Sequence, residues 1–101
     1  MSAELDPVIH AQARLRIVAT LAALPEGDQV TFPRLRETLG MTAGNLSTHL
    51  TRLEAAGYVD QDKTFEGRTP ATYLSLTRRG RRAFEEYVAA IRALLPDDGA
   101  A

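Results

Sequence analysis

The segment from Thr42 to Gly57 carries the clearest helical pattern in the chain. Leu46, Leu50 and Leu53 fall within about 60° of one another on a helix of 3.6 residues per turn, so they form one narrow apolar stripe. Thr42 can cap the start of this helix and Gly57 its end. The opposite face is short, polar or basic, and this pattern predicts a helix that a partner can approach closely. The residues of this outer face are Gly44, Asn45, Thr48, Thr51 and Arg52.

A long apolar pattern precedes this segment near the start of the chain. Asp6 and Pro7 form a strong helix start, because the carboxylate can cap free amides and proline lacks the N–H that would stay unpaired there. Apolar residues then recur at helical spacing until a Pro-Glu-Gly sequence ends the run. The segment 5–24 is therefore predicted to be helical, either continuous or broken near His10–Gln12 into a short leading helix and a longer one.

The residues between these two patterns predict a strand and a short helix. Gln29–Thr31 can form only a very short strand. Thr31 can cap a helix that has Pro33 in its first turn and Gly40 at its end. Two short helices joined by a short turn that contains glycine are typical of a helix-turn-helix, here over 32–57. The inward-facing residues of the first of these helices are Phe32, Leu35 and Leu39.

The pattern changes to alternation in the segment 58–76, which predicts a β-hairpin. Tyr58–Phe65 and Thr72–Leu76 are predicted to be its two strands. The intervening residues, Glu66–Pro70, predict a turn that is too long for a tight two-residue hairpin.

A last amphipathic helix is predicted over 77–95. Thr77 can cap its start, and the residues 96–101 are expected to form a flexible tail. The apolar stripe of this helix comprises Phe84, Tyr87, Val88, Ile91, Leu94 and Leu95.

The composition is that of one globular domain covering 1–101. The 101 residues are 45% apolar and 25% charged, and no residue is a cysteine, which excludes disulfides and thiolate metal sites. No apolar run approaches the roughly 20 residues needed to cross a bilayer, and the acidic N-terminus lacks the features of a signal peptide. A cytoplasmic protein without a membrane partner is expected.

The order of the predicted elements is that of a winged helix-turn-helix, a mainly α fold with a small β-hairpin wing. Three stretches resemble the small bacterial and archaeal winged-helix transcriptional regulators of the MarR and ArsR type. They are LDPVIHAQARLRIV, VTFPRLRETLGMTAGNLSTHLTRLEAAGYV and TFEGRTPATYLSLTRRGRRAF. The resemblance covers about Leu5 to Leu95 and is most specific at Gly40, Asn45-Leu46-Ser47, His49-Leu50 and Ala56-Gly57-Tyr58-Val59.

This resemblance implies a homodimer that binds double-stranded DNA, with one recognition helix in each of two successive major grooves and each wing in a flanking minor groove. The metal sensors of the ArsR type carry cysteine motifs on the helix that corresponds to Arg34–Leu39, and none is present here. His10 and His49 alone make no metal site, so neither a metal nor another cofactor is expected.

The predicted DNA contacts lie on the outer face of the central helix, in the wing and near the last helix. Asn45, Thr48 and Arg52 are spaced to follow a groove floor, where Arg can bind guanine and Asn adenine. The alternative interpretation of the helix residues is a solvent-exposed face that binds nothing. The alternative for the wing residues is a solvent-exposed loop. The predicted set is Thr42, Asn45, Ser47, Thr48, Arg52, Lys63, Arg68, Thr69, Arg78 and Arg79.

Some of these residues, and the neighbouring His49, have a second interpretation. Ser47 can bind a phosphate or bond back to its own helix, and a histidine beside a leucine stripe, as at His49, is more often a packed residue. The cations of Arg78–Arg82 oppose the dipole of the last helix. They either pair with acids elsewhere in the fold or await an anion such as the DNA backbone.

The first and last helices carry more apolar positions than a three-helix core of this size can bury, which predicts a dimer. One such module covers only about 600–1,000 Å² on DNA, so two-fold symmetry is expected, with a palindromic operator whose half-sites lie roughly 10 bp apart or a multiple of that. A small-molecule effector of unknown identity would lie between the dimer helices and the DNA-binding core. The predicted dimer residues are Val8, Ile9, Tyr87, Ile91, Leu94 and Leu95.

The net charge of −1 and the pI near 6.1 argue against nucleic-acid binding at first sight. All but one of the 12 basic residues are arginines, however, and the distribution of charge matters more than its sum. No catalytic motif is present, so an enzyme is not expected. The sequence therefore predicts a sequence-specific dimeric DNA-binding transcriptional repressor. The alternative is a winged-helix module for protein–protein interaction without DNA binding.

Overall fold

The computed structural model describes residues 4–96 and contains four helices and three strands in the predicted order. The predicted winged helix-turn-helix fold is confirmed. The predicted tail lies outside the described residues, apart from Pro96. The elements are α1 (Gln12–Ala22), β1 (Val30–Thr31), α2 (Phe32–Leu39), α3 (Ala43–Ala55), β2 (Val59–Glu66), β3 (Thr69–Leu76) and α4 (Arg78–Leu94).

The N-terminal segment follows the broken alternative rather than a continuous helix. Asp6 Oδ1 accepts hydrogen bonds from the amides of Val8 and Ile9, and the Asp6 carbonyl accepts one from His10. Ala11 then adopts an extended conformation (φ −144°, ψ 129°), so α1 begins only at Gln12. The capping function predicted for Asp6 is real, but it closes a single turn.

Arg14 stabilises this break from within α1. Its Nε donates to the carbonyl of Val8 over 2.6 Å, and its Nη2 lies 3.5 Å from the carbonyl of Pro7. These carbonyls lose helical partners because the helix is interrupted, and a buried carbonyl without a partner would cost about 1–3 kcal/mol. Arg14 is 8% exposed, and no pattern in the sequence identifies it as a buried cation.

The core is formed by α1, α2 and α3 together with the base of the sheet and one face of α4. The leucine stripe of α3 is fully buried, as predicted, and each buried leucine contributes about 1.5–3 kcal/mol relative to exposure. The buried apolar residues are Ile9, Ile17, Val18, Leu21, Leu35, Leu39, Leu46, Leu50, Leu53, Val59, Leu74 and Tyr87.

The helix-turn-helix is defined by its caps. Thr31 Oγ1 accepts a hydrogen bond from the Arg34 amide, and Thr42 Oγ1 accepts one from the Asn45 amide. Between the helices, Gly40 has a φ of 65°, a left-handed conformation that glycine adopts without strain. The chain therefore turns sharply after α2 and starts α3 within a few residues, as predicted.

The wing differs from its prediction in the turn. β2 and β3 pair in register from Val59 opposite Leu76 to Glu66 opposite Thr69, so the hairpin has a two-residue turn and the expected long turn is wrong. Gly67 has a φ of 65°, and no described non-glycine residue has a positive φ, which together match a type II′ turn.

Pro70, predicted to be a turn residue, lies in β3 opposite Phe65. Proline can occupy this strand because β1 pairs with β3 only at Tyr73 and Leu74. At Pro70 the strand therefore has one neighbour, and the missing N–H can face the open edge.

A tight junction at the base of the wing fixes α4 to the end of α3. The Thr77 amide donates to the Tyr58 carbonyl and its hydroxyl donates to the Gly57 carbonyl over 2.6 Å. The same hydroxyl accepts from the Gly80 amide and so caps α4, as predicted. A methyl group on Gly80 would lie 2.1 Å from the Tyr58 carbonyl oxygen, so only glycine fits there.

Candidate nucleic-acid interface

The outer face of α3 is free of the rest of the described chain. Asn45, Thr48 and Arg52 are exposed, whereas the leucines on the other side are fully buried. A methyl group built on Gly44 would meet no atom within 4 Å, so this face is open near the start of the helix. A duplex can therefore approach the helix backbone here.

Two hydroxyls of this face bond back to their own helix. Thr48 Oγ1 donates to the Gly44 carbonyl, and Thr51 Oγ1 donates to the Ser47 carbonyl, both over 3.0 Å. Thr48 thereby uses its hydrogen and keeps its lone pairs and methyl group for a ligand. In a major groove it could accept from an amino group or contact a thymine methyl.

The acid of α3 is held away from the outer face. Glu54 is the only carboxylate in this helix. It lies beside the leucine stripe, and its Oε1 accepts a hydrogen bond of 3.2 Å from Gln61 Nε2 at the base of β2. Arg52 is therefore the only charged side chain on the outer face of α3.

His49 lies at the edge of the leucine stripe and is half-buried. Its Nδ1 is 3.4 Å from Nη1 of Arg14, the cation that braces the N-terminal turn. This position agrees with the interpretation of His49 as a packed structural residue rather than as a residue that binds a ligand.

The structure places the other predicted DNA contacts in two separate groups. Lys63, Arg68 and Thr69 are exposed near the tip of the wing. Arg78 and Arg79 lie at its base, and because eight strand residues separate base from tip, the groups are about 25 Å apart. The two arginines therefore do not form one basic patch with Arg68.

Arg79 is packed against the protein at this base. Its Cδ, Nε and Nη1 lie within 3.4–3.8 Å of the position that a Cβ on Gly57 would occupy. It also borders a groove of about 930 Å³ together with Asp6, Tyr58 and His10. This groove lies between the N-terminal segment and the base of the wing.

Tyr58 and Asp6 are linked across the groove. The Tyr58 hydroxyl donates a short hydrogen bond of 2.5 Å to Asp6 Oδ2. This bond, partial burial and the negative charge of Asp6 raise the pKa of Tyr58 to about 12. No pattern in the sequence indicates this pair, since 52 residues separate its members.

The predicted dimer residues fall into an exposed and a buried group. Leu94 and Leu95 are 59% and 60% exposed, and Val8 and Ile91 are half-buried at the surface of the core. Ile9 and Tyr87 are instead buried inside the chain, where the Tyr87 hydroxyl lies 2.8 Å from His10 Nδ1. As folded, Ile9 and Tyr87 leave almost no side-chain surface for a partner, because Ile9 points into the core and the N-terminal turn packs against Tyr87.

Within residues 4–96, no helix is both long and apolar enough to cross a membrane. The same part of the chain holds no group of three or more His, Asp or Glu side chains arranged to bind a metal ion.

The helix-turn-helix, the two-stranded wing and the open face of α3 together define a winged-helix protein. Residues 13–95 match the family model of the winged helix DNA-binding domain. The chain belongs to this family, and it is a winged-helix DNA-binding transcriptional regulator.

Two relatives show how far the sequence similarity extends. An uncharacterized protein of Methanocaldococcus jannaschii is 33% identical over 81 residues, which are 80% of this chain and 85% of that protein. A riboflavin kinase of Haloquadratum walsbyi is 34% identical over 74 residues, which are 73% of this chain but only 30% of the kinase.

Solved structures agree with the family assignment. The structure of a transcriptional regulator homologue from Pyrococcus horikoshii has a TM-score of 0.77 at 25% identity, over 86% of this chain and 83% of that one. Reduced AbfR bound to DNA gives 0.69 at 25% identity, over 86% of this chain and 60% of AbfR. AbsC, a MarR family regulator from Streptomyces coelicolor, has the same fold, with 0.67 at 22% identity over 93% of this chain and 68% of AbsC.

Proposed function

We propose that this protein represses transcription as a homodimer that binds a two-fold symmetric operator. The observation that carries the proposal is the division of α3 into a fully buried leucine stripe and an open polar face whose only charge is Arg52. A helix of this kind can lie in a major groove without steric conflict or repulsion from its own carboxylate.

The roles of the residues on this face follow from their chemistry. Arg52 has the planar fork that binds guanine O6 and N7, and Asn45 has the amide that pairs with adenine N6 and N7. Thr48 offers lone pairs and a methyl group, because its hydrogen is committed to Gly44. Thr42 retains its hydroxyl hydrogen while it caps the helix, and Ser47 is exposed, so both are proposed to bind phosphates.

The two basic groups outside α3 are proposed to bind the DNA backbone. Lys63, Arg68 and Thr69 would reach the duplex from the wing tip, and Arg78 and Arg79 would follow it near the base of α4. Contacts of this kind position the protein and make its affinity depend on salt, with a slope of about −0.9 per phosphate neutralised.

Dimerisation is proposed through the exposed end of α4. Leu94 and Leu95 place adjacent apolar side chains at the surface, continuous with the half-buried Ile91. A symmetric contact there would join two recognition helices and double the DNA-binding area. The expected spacing of half-sites is one helical turn, about 10–10.5 bp, or a multiple of it.

A small effector is proposed to occupy the groove beside Tyr58, Asp6 and Arg79. Its occupation would act on both the N-terminal turn and the base of the wing, since the Tyr58–Asp6 bond joins them.

Selection of bound sequences from random duplexes, with light scattering on the same sample, tests the proposal. We expect a palindromic consensus and a mass of twice 11.0 kDa. Arg52→Ala should weaken binding by about 1–3 kcal/mol and relax the preference at one base pair of each half-site. Arg92→Ala removes the same charge from the exposed surface of α4 and should preserve that preference, so it is the matched control.

Binding to random duplex at low salt separates this proposal from the alternative of a protein–protein interaction module. A DNA-binding face gives weak affinity that falls steeply with added salt. Absence of any duplex binding by the wild-type protein at low salt would favour the alternative.

A further inference from the structure

Phe65 is an aromatic side chain that the fold leaves largely uncovered. It is 67% exposed and lies in β2, two residues before the two-residue turn at the tip of the wing. Its cross-strand neighbour is Pro70, which is also exposed. The core begins at the other end of the hairpin, so burial in the chain does not explain a phenylalanine here.

The alternation of the hairpin separates its charges onto two faces. Side chains of a strand alternate between faces, and directly paired residues share a face. The Phe65 face carries one cation, Lys63, and no carboxylate, whereas all three carboxylates of the hairpin lie on the opposite face. The Phe65 face comprises Val59, Gln61, Lys63, Phe65, Pro70, Thr72, Leu74 and Leu76; the acids are Asp60, Asp62 and Glu66.

The Phe65 face is also the side of the sheet on which the recognition helix lies. Val59 and Leu74 belong to it and are buried in the core against the helices. Gln61, between Val59 and Lys63, bonds to Glu54 on α3. Phe65 and Lys63 therefore continue, beyond the core, the side of the wing that faces a ligand held by α3.

We propose that Phe65 is an apolar DNA contact of the wing, with its ring packed against the deoxyribose walls of the minor groove. Cations near the ring would engage the phosphates on either side, from Lys63 on the same face and Arg68 in the adjacent turn. The acid-free, partly cationic surroundings fit a polyanion, and minor-groove proteins commonly place apolar side chains against the duplex. This inference rests on the proposed function.

Phe65→Ala measured against the selected operator duplex over a range of salt concentrations tests the inference. We expect affinity to fall about tenfold, the effect of an interaction worth about 1.4 kcal/mol, while the salt slope stays unchanged because no charge is removed. Arg68→Ala should instead lower the slope by about one for each phosphate that is no longer neutralised. Thr64→Ala alters the adjacent exposed residue on the opposite face and should bind as the wild type does.

Each outcome has a distinct meaning. Wild-type affinity of Phe65→Ala at every salt concentration overturns the inference, and so does an equal decrease in Thr64→Ala. If Phe65→Ala has a lower melting temperature than the wild type, Phe65→Gln replaces it, because glutamine keeps the length of the side chain without its apolar surface. Wild-type affinity of Phe65→Gln would also overturn the inference. A wild-type protein that binds no duplex contradicts the proposed function itself, and a protein partner that Phe65→Ala no longer binds would then overturn the inference in favour of a protein-binding surface.

Discussion

The junction at the base of the wing makes Gly80→Ala the most informative single substitution for the fold. A methyl group at this position would lie 2.1 Å from the Tyr58 carbonyl oxygen and 2.9 Å from Leu76 Cδ1. The carbonyl cannot move freely, because it accepts the Thr77 amide hydrogen bond over 3.0 Å. Relief of the overlap must therefore shift α4 away from the wing or break that bond.

The expected cost of Gly80→Ala is about 3 kcal/mol, from overpacking together with strain on the Thr77 bond. For a domain of this size it corresponds to a melting temperature lower by about 12–20 °C. Thermal unfolding followed by circular dichroism measures it directly.

Gly44→Ala provides the matched control, since it is the same change near the start of another helix. A methyl group on Gly44 meets nothing within 4 Å, and alanine has the higher helix propensity. We expect this variant to be as stable as the wild type or more stable by about 0.5 kcal/mol. Equal melting temperatures for the two variants would refute the argument, because they would show that the Tyr58 carbonyl does not confine Gly80.

Two further predictions concern groups that no sequence pattern identifies. In the folded protein the pKa of Tyr58 is raised from its ordinary value of 10 to about 12. The bond to Asp6 therefore stabilises the fold fully below pH 10, and this stabilisation is lost as the pH rises to 12. Because solvent screens this partly exposed pair, the stabilisation is worth about 1 kcal/mol. Denaturation over this pH range should show a smaller loss of stability for Tyr58→Phe than for the wild type. Equal losses for the two proteins would contradict the bond to Asp6. Arg14→Met should lower the free energy of unfolding by about 2–3 kcal/mol, because two carbonyls lose their donor. In urea titrations Arg34→Met, which changes an exposed arginine of α2, should cost less than about 1 kcal/mol, and equal costs would show that burial of Arg14 does not matter.

The parts of the fold that depend on local chemistry can be predicted from the sequence. Thr31, Thr42 and Thr77 each accept a hydrogen bond from the amide three residues later, because a cap requires only neighbouring residues. The leucine stripe of α3 likewise follows from spacing alone.

The parts that depend on distant residues cannot be predicted in this way. Proline usually ends a strand, so the sequence places Pro70 in a turn, and only the length of β1 shows that this edge is open. In the sequence, Ile9 and Tyr87 resemble apolar residues on separate elements that exceed what the core of one chain can bury. The fold of the N-terminal turn brings them into the core, and that turn depends on a buried Arg14 that resembles any other surface arginine in the sequence.

Three polar links connect the N-terminal segment to the wing, to α4 and to α3. Asp6 bonds to Tyr58 at the base of the wing, and His10 bonds to Tyr87 on α4. Arg14, at the start of α1, braces this segment and lies against His49 on α3.

One short segment thus contacts the helix proposed to dimerise, the wing and the recognition helix. If two chains dimerised through the end of α4, each would do so as a rigid unit in which these elements are already fixed to one another. The distance between the two recognition helices would then be set by the dimer contact, and the chain would distinguish operators by half-site spacing as well as by base sequence.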